Sequence, residues 1–224
     1  MNEYQYNSRP NFWNMMTPVI KNLVIINVIM LIASYIIGDP MYKYLALFPF
    51  ESPLYKPYQL ITHLFMHGGF WHLFFNMYTL IIFGSILERV WGSKKFLLFY
   101  FVTGLGAALC HDLVLHFQIV AAQNAGNLST AATIMSTPTV GASGAIYGVL
   151  LGYGMLYPNN VLQLIFPPVR LKAKWFVVIF GAIELVTGLT GMGGNVAHFA
   201  HLGGMLFGLV LILYWKKRDK LYRN

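Results

Sequence analysis

Gly141-Ala142-Ser143-Gly144-Ala145-Ile146-Tyr147-Gly148 stands where an uncharged polar segment, 118–140, gives way to an apolar run that ends near Tyr157. Gly144, Gly148 and Gly152 recur every fourth residue, so on a helix they form one face of small side chains. The run is short beside the roughly 20 residues a helix needs to cross hydrocarbon. It is therefore expected to begin below the membrane surface, inside the protein. A serine at the mouth of such a helix is either a packing residue or a nucleophile, and the rest of the chain decides between them.

Composition places the whole chain in the bilayer. It is 57% hydrophobic and only 10% charged, where a soluble domain carries about 25% charged residues. Six apolar runs read as spans, at 18–37, 69–87, 95–117, 143–157, 174–190 and 196–215. The expected architecture is an all-α membrane protein, a six-transmembrane-helix bundle. Residues 1–17 are expected to be a cytoplasmic N-terminal segment, 18–215 the six-span domain and 216–224 a basic cytoplasmic tail. The first run has no A-x-A cleavage site and reads as a retained helix rather than a signal peptide. Cys110 is the single cysteine, so no intrachain disulfide forms.

The net charge of +8 reads as topology, because the basic residues cluster at the ends of the runs. The partner they imply is the lipid bilayer, not a nucleic acid. With the N-terminus in the cytoplasm, thirteen of the fifteen Lys and Arg fall inside, and only Lys43 and Lys56 fall outside. Both termini are then cytoplasmic, and segments 118–142 and 191–197, which carry no charge, are external. Residues 38–68, with Pro40, Pro49, Pro53, Pro57 and interleaved aromatics, read as a loop lying in the interface.

Ionisable groups at membrane depth cost roughly a few kcal/mol, so each raises a functional question. His63, His67, His72, His111, His198 and His201 all fall in or beside apolar runs, towards the external ends; His116 reads as interfacial. His63 and His67 are four apart, but no carboxylate accompanies them, so a metal is not expected there. They are expected to tie loops to helices by hydrogen bonds. His72 and Asn76, one turn apart near the external end of a span, offer donors suited to an oxyanion.

In the last run, His201, Gly204 and Gly208 fall within about 60° of one another on a helix, with His198 at the edge of that face. Small faces let helices approach closely. The faces Gly144/Gly148/Gly152 and Gly204/Gly208 are expected to touch and bring Ser143 to His201. A serine hydroxyl needs a neighbouring proton acceptor to become a nucleophile, and an imidazole supplies one. Tyr147, one turn on, can stack on that imidazole. No carboxylate is expected as a third member: Asp112 is on another span, and Glu184 reads as too deep. Ser143 opens its helix, so its own N–H is available to a developing oxyanion, with His72 and Asn76 as further donors.

Together these elements resemble the rhomboid family of intramembrane serine proteases. The resemblance is carried by His67…His72-x-x-x-Asn76, Glu88-Arg89…Gly92-Ser93, Gly141-x-Ser143-Gly144 and Ala200-His201-x-x-Gly204-x-x-x-Gly208, and it covers roughly 18–215. It implies a Ser–His dyad with Ser143 as nucleophile and His201 as base. It also implies an oxyanion hole of His72, Asn76 and the Ser143 amide, with Gly141, Tyr147 and Gly204 in support and no metal or cofactor. The Trp-Arg pair often found in the family's first loop has its nearest counterpart at Tyr58-Gln59. The form is that of a minimal bacterial member, a multi-pass protein of the cell (inner) membrane. Its substrates would be single-pass membrane proteins, cut near the external face through an acyl-enzyme. Two other readings remain open: a non-catalytic rhomboid-like protein that escorts membrane helices, and a transporter or a metal- or haem-binding bundle built on the histidines.

Overall fold

The computed structural model describes residues 12–163, 168–191, 197–218 and 221–222, and its architecture is an all-α membrane bundle. The six principal helices are α1 (Pro18–Ile37), α2 (Phe70–Trp91), α3 (Ser93–Asn124), α4 (Ser143–Leu156), α5 (Ala173–Thr190) and α6 (His198–Lys217). All but α4 are long and apolar enough to cross a membrane by length and composition. α4 has 14 residues, as its short apolar run implies.

Helix ends follow local chemistry. Pro18 sits in the first turn of α1, where its missing N–H costs nothing. The next N–H groups, of Val19 and Ile20, donate to the Glu88 carboxylate at 3.0 and 3.1 Å. Glu88 also accepts from the hydroxyls of Thr17 and Ser93. A buried acid at the end of α2 thus caps α1, and this accounts for the Glu88…Ser93 motif structurally. Gly92, at φ 79°, makes the turn from α2 into α3. α2 also carries one π-helical stretch, Leu80–Gly84.

Two boundaries differ from the sequence reading. α3 has 32 residues, about 48 Å at 1.5 Å per residue, well beyond the ~30 Å hydrocarbon core. The expected loop 118–142 therefore starts as helix and continues with a second helix, Leu128–Ser136. The chain also contains strands: β1 (Val161–Gln163) and β2 (Arg170–Lys172) pair antiparallel between α4 and α5, Leu162 opposite Leu171.

Residues 38–68 are more ordered than an interfacial loop requires. Gln59 is fully buried, and its amide donates to Tyr44 O and Leu54 O and accepts from Phe48 N and Lys56 N. Asp112 of α3 accepts from Phe50 N at 2.9 Å, which gives that intramembrane acid a structural partner. Leu47 and Thr139 exchange backbone hydrogen bonds at 3.0 and 2.7 Å, tying this segment to the strand of chain before α4.

α6 lies against α3, α4 and α5. Away from its first turn, Trp215 packs on Trp91 and Phe99 with ring centroids 5.3 and 5.9 Å apart. In its second turn glycines make the contact instead. A Cβ at Gly204 would stand 1.9 Å from Gly144 O, and one at Gly148 would stand 3.0 Å from Gly204 O. α4 and α6 thus touch backbone to backbone as the two glycine faces predict, and the same α4 glycines also admit α3, since a Cβ at Gly144 or Gly148 would meet Ala107 at 2.4 Å or Thr103 at 2.6 Å. Gly152 is the exception: it faces Leu87, Trp91 and Phe99 rather than α6.

Candidate active site

The glycine contact fixes the approach of the two helix openings. Ser143 is the first residue of α4, and His201 lies one turn into α6. His201 Nε2 stands 2.9 Å from Ser143 Oγ. The imidazole lies flat on Tyr147, centroids 4.1 Å apart and planes 5° from parallel. The ring's plane is therefore held, and one nitrogen is aimed at the hydroxyl. An imidazole so placed can accept the hydroxyl proton and return it elsewhere.

Gly141 and His72 meet across the serine. Gly141 has φ +123°, a conformation L side chains rarely adopt, and a Cβ there would stand 2.8 Å from His72 Nε2. Its N–H donates to His63 O at 3.0 Å. His72 Nδ1 accepts from Gly68 N at 3.3 Å, so the ring proton sits on Nε2, the edge beside Gly141. Asn76 is buried, and its Nδ2 has no hydrogen-bond partner among the described residues. His72, Asn76, Ser143, Tyr147 and His201 line one cavity of about 810 Å³, whose wall also includes Thr133, Thr137 and Thr139 from the uncharged segment before α4. A buried amide donor and an Nε2–H beside a helix-opening N–H can meet a negative oxygen.

The remaining histidines divide. His63 Nδ1 pairs with Gln59 O at 2.7 Å, one turn back in its own short helix, so its side chain does not make the loop-to-helix tie expected of it; its carbonyl, accepting from Gly141 N, does the tying. His67 does not match that expectation through its side chain. Its carbonyl accepts from Tyr42, while both ring nitrogens lack a hydrogen-bond partner among the described residues and the ring packs edge-on against His72. Burial lowers the His63 pKa to about 4. Burial, with the nearby His72 charge, lowers that of His67 to about 3, so both rings are neutral at ordinary pH. His111 Nε2 pairs with Thr139 Oγ1 at 3.1 Å, and exposed His116 pairs with Glu51.

Glu184 overturns a sequence expectation. It is not too deep: its Oε2 lies 3.0 Å from His201 Nδ1 and 2.6 Å from His198 Nδ1, and its Oε1 accepts from the Tyr147 hydroxyl. The signal that could have found it is the short α4 itself. Ser143 starts below the surface, so a group six residues before the end of α5, roughly 9 Å in, stands level with it. Glu184, His198 and His201 also bring donor atoms within 4.8 Å of one another, the one set among the described residues with the chemistry to hold a metal ion. Two of its donors already face each other at 2.6 Å.

Comparison with known proteins gives the family. The family model of the rhomboid domain matches residues 55–218, a range that includes His72, Asn76, Ser143, Tyr147, Glu184 and His201. The chain belongs to the rhomboid family. It is similar to rhomboid protease AarA of Providencia stuartii, 30% identical over 152 residues covering 66% of this chain and 53% of that protein. It is also similar to the mitochondrial RHOMBOID-like protein 6 of Arabidopsis thaliana, 30% identical over 70% of this chain and 43% of the relative. The mouse mitochondrial presenilin-associated rhomboid-like protein is 30% identical over 194 residues, 82% of this chain and 45% of the relative. This rhomboid chain thus spans about half the length of the curated relatives it matches.

Proposed function

We propose that this rhomboid chain is an intramembrane serine endopeptidase that cuts membrane-spanning segments of single-pass proteins. The observation that carries the reading is the 2.9 Å contact between Ser143 Oγ and His201 Nε2 at a cavity lined by His72 and Asn76.

Ser143 Oγ bonds to the scissile carbonyl carbon as its proton passes to His201 Nε2. The carbonyl electron pair moves onto oxygen, which is met by the Ser143 N–H, the His72 Nε2–H and the Asn76 amide. Collapse breaks the C–N bond, and His201 returns the proton to the leaving amine. Water then attacks the acyl-enzyme with His201 again as base, releasing the acid and restoring Ser143. A spanning helix satisfies its backbone internally, so a substrate must unwind locally to present a peptide bond. Small or helix-breaking residues near the cut favour this.

For a six-span bundle, the thirteen-to-two placement of Lys and Arg favours both termini in the cytoplasm and the site towards the external face. Residues 18–215 would be the proteolytic domain and 216–224 its basic tail. The test is reconstitution into vesicles with a single-span substrate, followed by mass spectrometry of the products. The proposal expects one cut in or beside the span that Ser143→Ala abolishes. A cut that persists in Ser143→Ala overturns it.

A further inference from the structure

Glu184 is 7% exposed, inside a helix apolar enough to span a membrane. A carboxylate there is costly unless it is paired and used. Every partner shown for its two oxygens belongs to the site: the Tyr147 hydroxyl on Oε1, and the Nδ1 atoms of His198 and His201 on Oε2. The His201 ring therefore lies between an acid and a hydroxyl, with Nδ1 3.0 Å from Glu184 and Nε2 2.9 Å from Ser143.

That order has a chemical consequence. For Nε2 to accept the Ser143 proton, Nδ1 must carry the ring's own proton, and a neutral imidazole does not choose that tautomer unaided. Among the described residues the one group that stands at Nδ1 is Glu184. When the ring takes up the serine proton it becomes a cation in a site of low dielectric, where a carboxylate at 3.0 Å stabilises it strongly. The carboxylate is itself held, by Tyr147 from α4 and His198 from α6. Its Oε2 lies at bonding distance from Nδ1 but off the linear direction; catalytic hydrogen bonds commonly tighten only when substrate binds.

We propose that Glu184 is a positioning residue for His201, fixing the Nδ1–H tautomer and stabilising the imidazolium, so that this chain works as Ser143–His201–Glu184 rather than as a dyad. The proposal rests on the serine-protease reading above. The competing role is a clasp that merely ties α5 to α4 and α6.

Glu184→Gln separates the two, because the amide keeps the volume and can still bond Tyr147 and His198 while losing the charge. The full chain in detergent is compared as wild type, Glu184→Gln and Glu184→Asp, with kcat and KM for a single-span substrate, thermal melting, bound zinc and 15N-histidine NMR. The His201 resonance is assigned with His201→Ala. Glu184→Gln should lower kcat about 10²–10³-fold with KM little changed. It should also weaken the Nδ1–H signature of His201 and leave melting near wild type. Glu184→Asp should recover most of kcat. Wild-type kcat in Glu184→Gln overturns the proposal. So does a loss of activity that tracks a loss of melting temperature and is no smaller in Glu184→Asp, and so does stoichiometric zinc that disappears in Glu184→Gln. A wild type that labels with a fluorophosphonate at Ser143, alongside an equally active Glu184→Gln, sinks this proposal alone. A wild type whose Ser143 is unreactive removes the protease reading first.

Discussion

Replacing Gly204 by alanine tests whether packing delivers the base to the nucleophile. The added Cβ would lie 1.9 Å from Gly144 O, and a carbon–oxygen contact relaxes only near 3.3 Å. α4 and α6 must then part by roughly 1.4 Å along that vector, because the obstacle is backbone and cannot rotate away. Ser143 Oγ and His201 Nε2, 2.9 Å apart, sit at the end of the same contact. Even half of that displacement takes them past the normal hydrogen-bond range. Overpacking of this kind costs about 1–3 kcal/mol, set against about 1 kcal/mol gained from alanine's helix propensity. A misplacement near 1 Å lowers rate by about 10²-fold. Stability should thus fall modestly and activity severely. Gly181→Ala is the control: its Cβ would meet only the movable end of the Met205 side chain, Cε at 3.2 Å and Sδ at 3.6 Å. Fluorophosphonate labelling rates and thermal melts of both variants in detergent make the comparison. Labelling of Gly204→Ala at the wild-type rate would refute the argument.

Asn76→Ala should lower kcat about 10²–10³-fold with little change in KM if its free Nδ2 meets the oxyanion; a change confined to KM would contradict that role. Glu88→Ala strips the acceptor from the first turn of α1 and from Thr17 and Ser93. It should cost about 1–3 kcal/mol, read as a lower melting temperature, while the labelling rate of folded protein stays unchanged. Stability should also fall on acidification. The folded values of His63 and His67 are lowered to about 4 and about 3 from 6.5, so the unfolded chain takes up protons first. Stability present above pH 6.5 is lost as pH falls below it, by about 2 kcal/mol per group at pH 5. His67→Phe should flatten the drop in melting temperature between pH 7.5 and 5, and an unchanged slope would show that His67 is not its source.

What was legible in the sequence lay in local patterns. Gly144, Gly148, Gly204 and Gly208 sit at one-turn spacing, and that spacing alone placed Ser143 against His201. His72 and Asn76 read as a pair for the same reason. The apolar runs located all six helices, because hydrocarbon demands apolar length whatever the tertiary contacts. What stayed hidden depended on neighbours distant in the chain. Glu184 meets Tyr147 and His201 only once α4, α5 and α6 are packed, and its depth could be judged only against the recessed start of α4. The length of α3 was hidden because a helix can continue beyond hydrocarbon in an uncharged run of mixed polar and apolar residues, as 118–124 do. Gln59 stands out in the sequence only beside Tyr58, as the counterpart of the family's Trp-Arg pair; its buried role is not legible there, since its four hydrogen bonds close a loop whose course no periodicity announces.

The central claim is that His201 activates Ser143. The most direct measurement is the site of adduct formation by a fluorophosphonate, located by peptide mass spectrometry in wild type, Ser143→Ala and His201→Ala. The account predicts a single adduct on Ser143 that is absent from both variants. An adduct that survives in Ser143→Ala, or that forms on Ser143 at the wild-type rate in His201→Ala, contradicts it.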